Sequence, residues 1–151
     1  MNEWYYKPVD GREVLFMNEL KGTGIIPDFE VEINSENNSH YYPYILKTKK
    51  YPYTWGEMLE MGYDMTIYKK KLAKLIDLMH EHGIFHNDMH DNNVVVDPDT
   101  KDVRIIDLGI SMTIFEVIDD EKTDQDYISD RISREKIMDR EILNDFKTIG
   151  N

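Results

Sequence analysis

Asp88, Asn93 and Asp107 are the residues whose types and spacing could do chemistry together. Asp88 lies in the run His86-Asn87-Asp88-Met89-His90-Asp91-Asn92-Asn93, five positions ahead of Asn93, and Asp107 opens Asp107-Leu108-Gly109. Between the two runs the pattern reads as a hairpin: Val94-Val95-Val96, turn chemistry at Asp97-Pro98-Asp99-Thr100, then Val103-Arg104-Ile105-Ile106. A hairpin returns the chain to its start, so Asn93 and Asp107 come close although they are distant in sequence. Their oxygens suit a hard cation such as Mg²⁺, which takes a carboxylate or two and fills its other positions with phosphate oxygens and water. Asp88 can accept or orient the proton of an attacking hydroxyl. Gly109 lets the backbone turn away beside the cation. The chemistry is phosphoryl transfer, and no P-loop pattern or Ser–His–Asp order competes with it.

Such residues need a rigid mount. A helix is expected from about Thr66 to His82, because Met65, Tyr68, Leu72, Leu75, Ile76 and Met79 recur at helical steps on one face. Lys69, Lys70, Lys71 and Lys74 fall largely off that face and read as a solvated surface. Gly83 ends this helix, and Ile84-Phe85 pin the following loop to the core. Upstream, Trp4-Tyr5-Tyr6-Lys7 is strand-like and Pro8 ends its ladder. Asp10 with Glu13 reads as a capping box opening a short helix that stops at Gly22. Phe29–Ile33 alternates as a half-buried strand, Asn34–Ser39 is turn chemistry, and Tyr41–Leu46 returns as a second strand. Lys47–Lys50 reads as a basic connector, and Thr54 as the cap of a helix over Trp55–Leu59. Downstream, Glu116–Asp130 reads as an exposed acidic loop. A last helix over about Ile132–Phe146 is expected to present Ile137, Met138, Ile142, Leu143 and Phe146 as its apolar side.

Composition narrows the function classes. The chain has 151 residues, 40% of them hydrophobic, which is enough for a packed core. Its net charge of −12 repels phosphate backbones, so no nucleic-acid partner is expected. Without cysteine there is neither a disulfide framework nor a thiolate metal site. No run approaches the ~18 apolar residues of a membrane span. The first residues also lack the pattern of a signal peptide. A soluble, cytoplasmic protein is expected, in a host cytoplasm if it is viral or a secreted effector.

The two runs resemble the protein-kinase-like superfamily, whose catalytic loop reads His-x-Asp-x-x-x-x-Asn and whose metal-binding turn reads Asp-Phe-Gly or a close variant. His86, Asp88 and Asn93 match the first, and Asp107-Leu108-Gly109 the second. His90, two residues after the Asp, makes the loop similar to those of RIO-type kinases and aminoglycoside phosphotransferases. The resemblance implies an α+β, two-lobed, reduced kinase-like fold. Residues 1–47 would form a small antiparallel sheet plus helix, and residues 48–151 a truncated, mostly helical lobe. It implies ATP and Mg²⁺ as cofactors, Asp88 as the catalytic Asp, His86 as the scaffold of the loop, and His90 as a contact to the transferred phosphate. Asn93 and Asp107 would hold the metal. Lys7 would reach the nucleotide phosphates, paired with Glu13 or its rival Glu19. The Tyr44–Thr48 region, with Leu46 and Lys47, would meet the adenine. No Gly-rich loop stands ahead of Lys7, and no Ala-Pro-Glu segment follows Gly109.

A minimal serine/threonine protein kinase is the leading expectation, with a protein substrate or partner. A small-molecule kinase and a pseudokinase acting as an interaction module are the alternatives. A metal hydrolase built on His80, His82, His86 and His90 would need further ligands downstream, and no His follows His90.

Overall fold

The computed structural model describes residues 3–35, 41–109, 111–113 and 125–150. The chain starts with β1 (Trp4–Val9), α1 (Gly11–Leu20), β2 (Phe29–Ile33) and β3 (Tyr44–Lys49). These strands form one antiparallel sheet in the order β1-β3-β2, so β3 is central and β1 is an edge. Asp10 caps α1, its carboxylate accepting from the Glu13 backbone N–H at 2.9 Å. The expected capping box is not completed, because the Glu13 carboxylate turns to Lys7 instead. Phe16, Met17 and Leu20 bury the inner face of α1 against the sheet. β3 starts after Pro43 and runs through Lys49, so the stretch expected as a basic connector is mostly strand, paired on both sides. Part of the expected turn over Asn34–Ser39, from residue 36 on, lies outside the described residues.

The second part carries β4 (Tyr53–Thr54), α2 (Trp55–Glu60), α3 (Thr66–Glu81), β5 (Ile84–Phe85), β6 (Val94–Asp97), β7 (Asp102–Ile105) and β8 (Met112–Thr113). A long helix, α4 (Gln125–Ile142), and a 3-10 turn at Leu143–Asp145 follow. Thr54 and Glu57 form a full capping box at the start of α2. The α3 stripe is as its periodicity predicts, with Met65, Tyr68, Leu72, Ile76 and Met79 all buried. The hairpin of β6 and β7 pairs Val94 with Ile105 and joins β4 in one sheet, while β5 pairs with β8.

A single buried cluster runs from Val9, Phe16 and Leu46 through Ile25 and Ile105 to Trp55, Leu72 and Phe146. Two hydrogen bonds reinforce it. Ile105 N–H donates to the Ile25 carbonyl at 2.7 Å, tying the α1–β2 loop to the hairpin. The Trp55 indole N–H donates to the Lys147 carbonyl at 3.0 Å, and its ring meets Phe146 edge-on at 5.2 Å.

The last helix departs from expectation. Ile137 and Met138 are 51% and 52% exposed, whereas Glu135 and Asp139, one turn apart, are buried. Its inward face is therefore partly polar; of the expected apolar side, Phe146 is buried and Ile142 and Leu143 pack against the core, whereas Ile137 and Met138 do not. Of the acidic stretch expected as a loop, residues from Gln125 are helical, and residues 114–124 lie outside the described ones.

Candidate active site

The sheet of β1 and β3 faces the β6–β7 hairpin across a cavity of about 450 Å³, lined among others by Lys7, Glu13, Leu46, Asn93 and Asp107. Strand alternation decides which side chains reach it. Lys7 and Leu46 are cross-strand partners and both line the cavity. Lys47, one residue on, faces the other side, 3.5 Å from Glu30 and over the rings of Trp4 and Tyr6 at 5.0 and 5.8 Å. The Lys47 side chain thus points away from the cavity, and of the expected pair Leu46 and Lys47 only Leu46 lines it. The residues that continue the cavity wall are Thr48, Lys49, Lys50 and Tyr51.

Lys7 stands between two carboxylates. Its Nζ lies 3.2 Å from Glu13 Oε2 and 3.3 Å from Asp107 Oδ1. Glu19, the rival on the same helix, instead meets His82 at 3.3 Å. Burial alone would lower the Lys7 pKa, but the charges of Glu13 and Asp107 outweigh it and hold the ammonium above its ordinary value. Glu13, deeper in the fold, is pushed up by burial, with Lys7 only partly offsetting this. At Asp107 burial also acts upward, yet Lys7 prevails and the carboxyl sits below the usual range. One ammonium thus serves two acids, and the more exposed one is left firmly ionised.

The loop after β5 is fixed by its own polar groups. His86 is 1% exposed. Its Nδ1 accepts from the Asp88 N–H at 3.1 Å and its Nε2 donates to the Ile106 carbonyl at 2.8 Å. Burial lowers its pKa, with the Ile106 bond acting the other way, so the ring is a neutral scaffold. Asn93 donates from Nδ2 to the Asp88 carbonyl at 2.8 Å and to Asp88 Oδ2 at 3.3 Å. That nitrogen is also 3.0 Å from His90 Nε2, and His90 Nε2 is 3.8 Å from Asp88 Oδ1, so His90 stands beside Asp88. The Ile106 N–H donates to the Asn93 carbonyl at 2.9 Å, which is how the hairpin brings Asn93 to the neighbourhood of Asp107.

Two corners of this site adopt left-handed backbone: Asn87 at φ 69° and Asp107 at φ 62°. Asn and Asp tolerate this region better than other side-chain-bearing residues. Gly109 sits close to the site: a Cβ there would lie 3.3 Å from Asp107 Oδ1 and 3.4 Å from Glu13 Oε1, so a side chain would press on both carboxylates.

One supporting residue escaped the sequence reading. Asp139 on α4 is 1% exposed. It accepts from the backbone N–H groups of His86 at 2.9 Å and Asn87 at 3.2 Å, and its Oδ2 lies 2.8 Å from His80 Nε2. It therefore anchors the loop that bears Asp88 to two helices at once. The sequence does not single it out, because Asp130, Glu135, Glu141 and Asp145 lie in the same stretch and spacing alone assigns no partner to any of them. Ser111, also buried, donates from its hydroxyl to the His86 carbonyl at 3.1 Å, and Arg12 of α1 donates to the Ser111 carbonyl at 2.6 Å.

The donor set fits a hard cation. With the Asn93 nitrogen committed to Asp88, its amide oxygen is the atom that would meet a metal, together with the Asp107 carboxylate. Among the described residues no group of three or more His, Asp or Glu side chains is disposed to hold a metal alone. Two protein oxygens accord with Mg²⁺ shared with a ligand's phosphates, which rarely uses an all-protein cage.

Comparison with known proteins agrees with this geometry. No protein-family model matches the chain. A probable serine/threonine-protein kinase of Dictyostelium discoideum is 30% identical over 105 residues, which is 66% of this chain and 16% of that protein. Among solved structures, the Cydia pomonella granulovirus kinase PK-1 superposes with a TM-score of 0.58 at 12% identity, over 73% of this chain and 42% of that one. This chain thus spans under half the length of either relative. The superposition shows that the chain has a protein-kinase-like fold in a reduced form.

Proposed function

We propose that the chain is an ATP- and Mg²⁺-dependent phosphotransferase, with a serine or threonine hydroxyl of a protein as the leading acceptor. The observation that carries this reading is the position of Lys7, bonded to both Glu13 and Asp107 in the cavity that Asn93 also lines. Lys7 would bind the nucleotide phosphates, held in place by Glu13. Asp88 would orient the acceptor hydroxyl and take its proton, its own position set by Asn93 and His86. Mg²⁺, held by Asn93 and Asp107, would neutralise charge on the transferred phosphoryl group, which with positioning is most of catalysis in this class. His90, beside Asp88, would meet the transferred phosphate.

The edge position of β1 favours a second reading. β1 is an edge of its sheet among the described residues, and nucleotide binding without turnover, in an interaction module, is the alternative. A small-molecule acceptor is a further variant of the first reading. Among the described residues no helix is long and apolar enough to cross a membrane.

The test is phosphate transfer from γ-labelled ATP to serine- and threonine-containing peptides, alongside thermal unfolding with ATP and Mg²⁺. Nucleotide at a hundredfold excess over its Kd raises stability by about 2.7 kcal/mol. Asp88→Ala should abolish transfer and keep that thermal shift. Transfer by Asp88→Ala equal to wild type would defeat the assignment, and a thermal shift without any transfer would select the interaction module.

A further inference from the structure

We infer that a second cavity, between the end of α1 and strand β7, is a binding site for a phosphoryl group. It measures about 380 Å³ and is lined among others by Lys21, Gly22, Gly24, Asp28, Phe29 and Arg104. Of its lining residues only Pro27 also lines the nucleotide cleft, so the site stands independently of the nucleotide reading. Its walls are preformed. Ile26 and Phe29 are buried, and the Ile105 N–H, next to Arg104, donates to the Ile25 carbonyl at 2.7 Å.

The Arg104 side chain is 23% exposed, and its fork of N–H donors is largely unused. Nη1 donates to the Val103 carbonyl at 2.8 Å and stands 4.0 Å from Asp102 Oδ1. Among the described residues Nε and Nη2 meet no acceptor. Lys21 follows α1 and holds its Nζ 5.4 Å from the centre of the Phe29 ring, and among the described residues no carboxylate pairs with it. Asp28 is the single carboxylate lining the cavity, so cations outnumber acids there, in a chain whose net charge is −12. Gly22 and Gly24 take φ of 77° and 82°, and a Cβ at either would meet nothing within 4 Å, so bare backbone leaves the cavity open. A planar guanidinium matches the oxygens of a phosphate or a carboxylate. A tetrahedral phosphoryl group presents oxygens on several sides and can meet one cation from α1 and another from β7 together. It also carries about −1.5 to −2 charge at neutral pH, more than a carboxylate. The chemistry is shared by free phosphate and by a phosphorylated side chain of a partner.

The experiment titrates inorganic phosphate, a phosphoserine peptide and the same peptide without phosphate into the full chain, with the amide NMR signals of Gly22 and Gly24 as reporters. Both phosphoryl ligands should shift these signals saturably, and the plain peptide should not. Arg104→Gln should weaken the binding about tenfold, since it removes charged hydrogen bonds. Lys21→Gln should weaken it about threefold, and Asp28→Asn should tighten it. Lys7→Ala, in the nucleotide cleft, should leave it unchanged. Far-UV circular dichroism confirms folding, and the exposed Lys21 keeps the test valid if Arg104→Gln unfolds. Tighter binding of the phosphopeptide assigns the site to a modified partner, and equal or tighter binding of free phosphate assigns it to a small anion. Absence of a saturable shift at Gly22 and Gly24, equal binding of the plain peptide, or unchanged affinity in Lys21→Gln and Arg104→Gln overturns the inference. So does weaker binding in Asp28→Asn, or a loss in Lys7→Ala, which would move the phosphate to the nucleotide cleft.

Discussion

Replacing Asp139 by Ala should be among the most damaging changes available outside the cleft. Its carboxylate satisfies the His86 and Asn87 backbone N–H groups and bonds the His80 ring, in a place where Asp139 itself is 1% exposed. Alanine leaves these donors facing a small void from which water is excluded. A buried donor deprived of its partner costs about 1–3 kcal/mol. The His86 group is fully buried and the other two partly so, which gives a total of about 3–5 kcal/mol by the same measure. Domains are stable by only about 5–15 kcal/mol. At about 2–4 °C per kcal/mol for a chain of this size, the melting temperature should fall by about 6–20 °C. Asp139→Asn keeps one acceptor and should lose about half as much. Urea unfolding by circular dichroism measures these losses, and amide exchange at His86 and Asn87 shows whether protection disappears locally. A cycle with His80→Ala should reveal a coupling of about 1 kcal/mol. If Asp139→Ala costs less than about 1 kcal/mol, or both amides stay protected, the anchoring argument fails.

Two other predictions concern charge. Glu13→Gln removes the partner that holds Lys7, so affinity for nucleotide with Mg²⁺ should fall about tenfold. Glu19→Gln, which loosens only the contact to His82, should leave it within about twofold, and isothermal titration of both variants would expose the reverse order. His86 has its folded pKa lowered by burial, so the unfolded chain takes up a proton that the native chain refuses. Its contribution to stability is complete above the ordinary value of about 6.5 and is lost as pH falls below it. Thermal unfolding between about pH 7 and pH 5 should show this slope, and it should flatten in His86→Asn.

What could be read from the chain was local. Asp88, Asn93 and Asp107 were legible because one loop and one hairpin set their positions, and hairpin pattern and turn residues are sequence-adjacent. The buried stripe of α3 and the Thr54 cap were legible for the same reason. Lys47–Lys50 was read as a connector because a run of lysines masks a strand, and the face each of its residues takes follows from a register with two partner strands. Glu13 and Glu19 share a helix whose orientation against β1 no spacing reveals; only packing decides that Glu13 meets Lys7. Asp139 is the clearest case. The last helix was read from its apolar residues, yet Ile137 and Met138 face outward, and the inward acid is defined by groups some fifty positions away.

The left-handed backbone at Asp107 separates inheritance of shape from inheritance of chemistry. At φ 62° the chain tolerates Asp, Asn or Gly far better than any branched or bulky residue. A single substitution to Asn or Gly would therefore remove the carboxylate while leaving the corner, the hairpin and the cleft as they are. Drift at this position can extinguish a reaction and preserve an architecture. For the same reason Asn is the informative control there: alanine disturbs the backbone together with the charge, and its effects cannot be assigned to either alone.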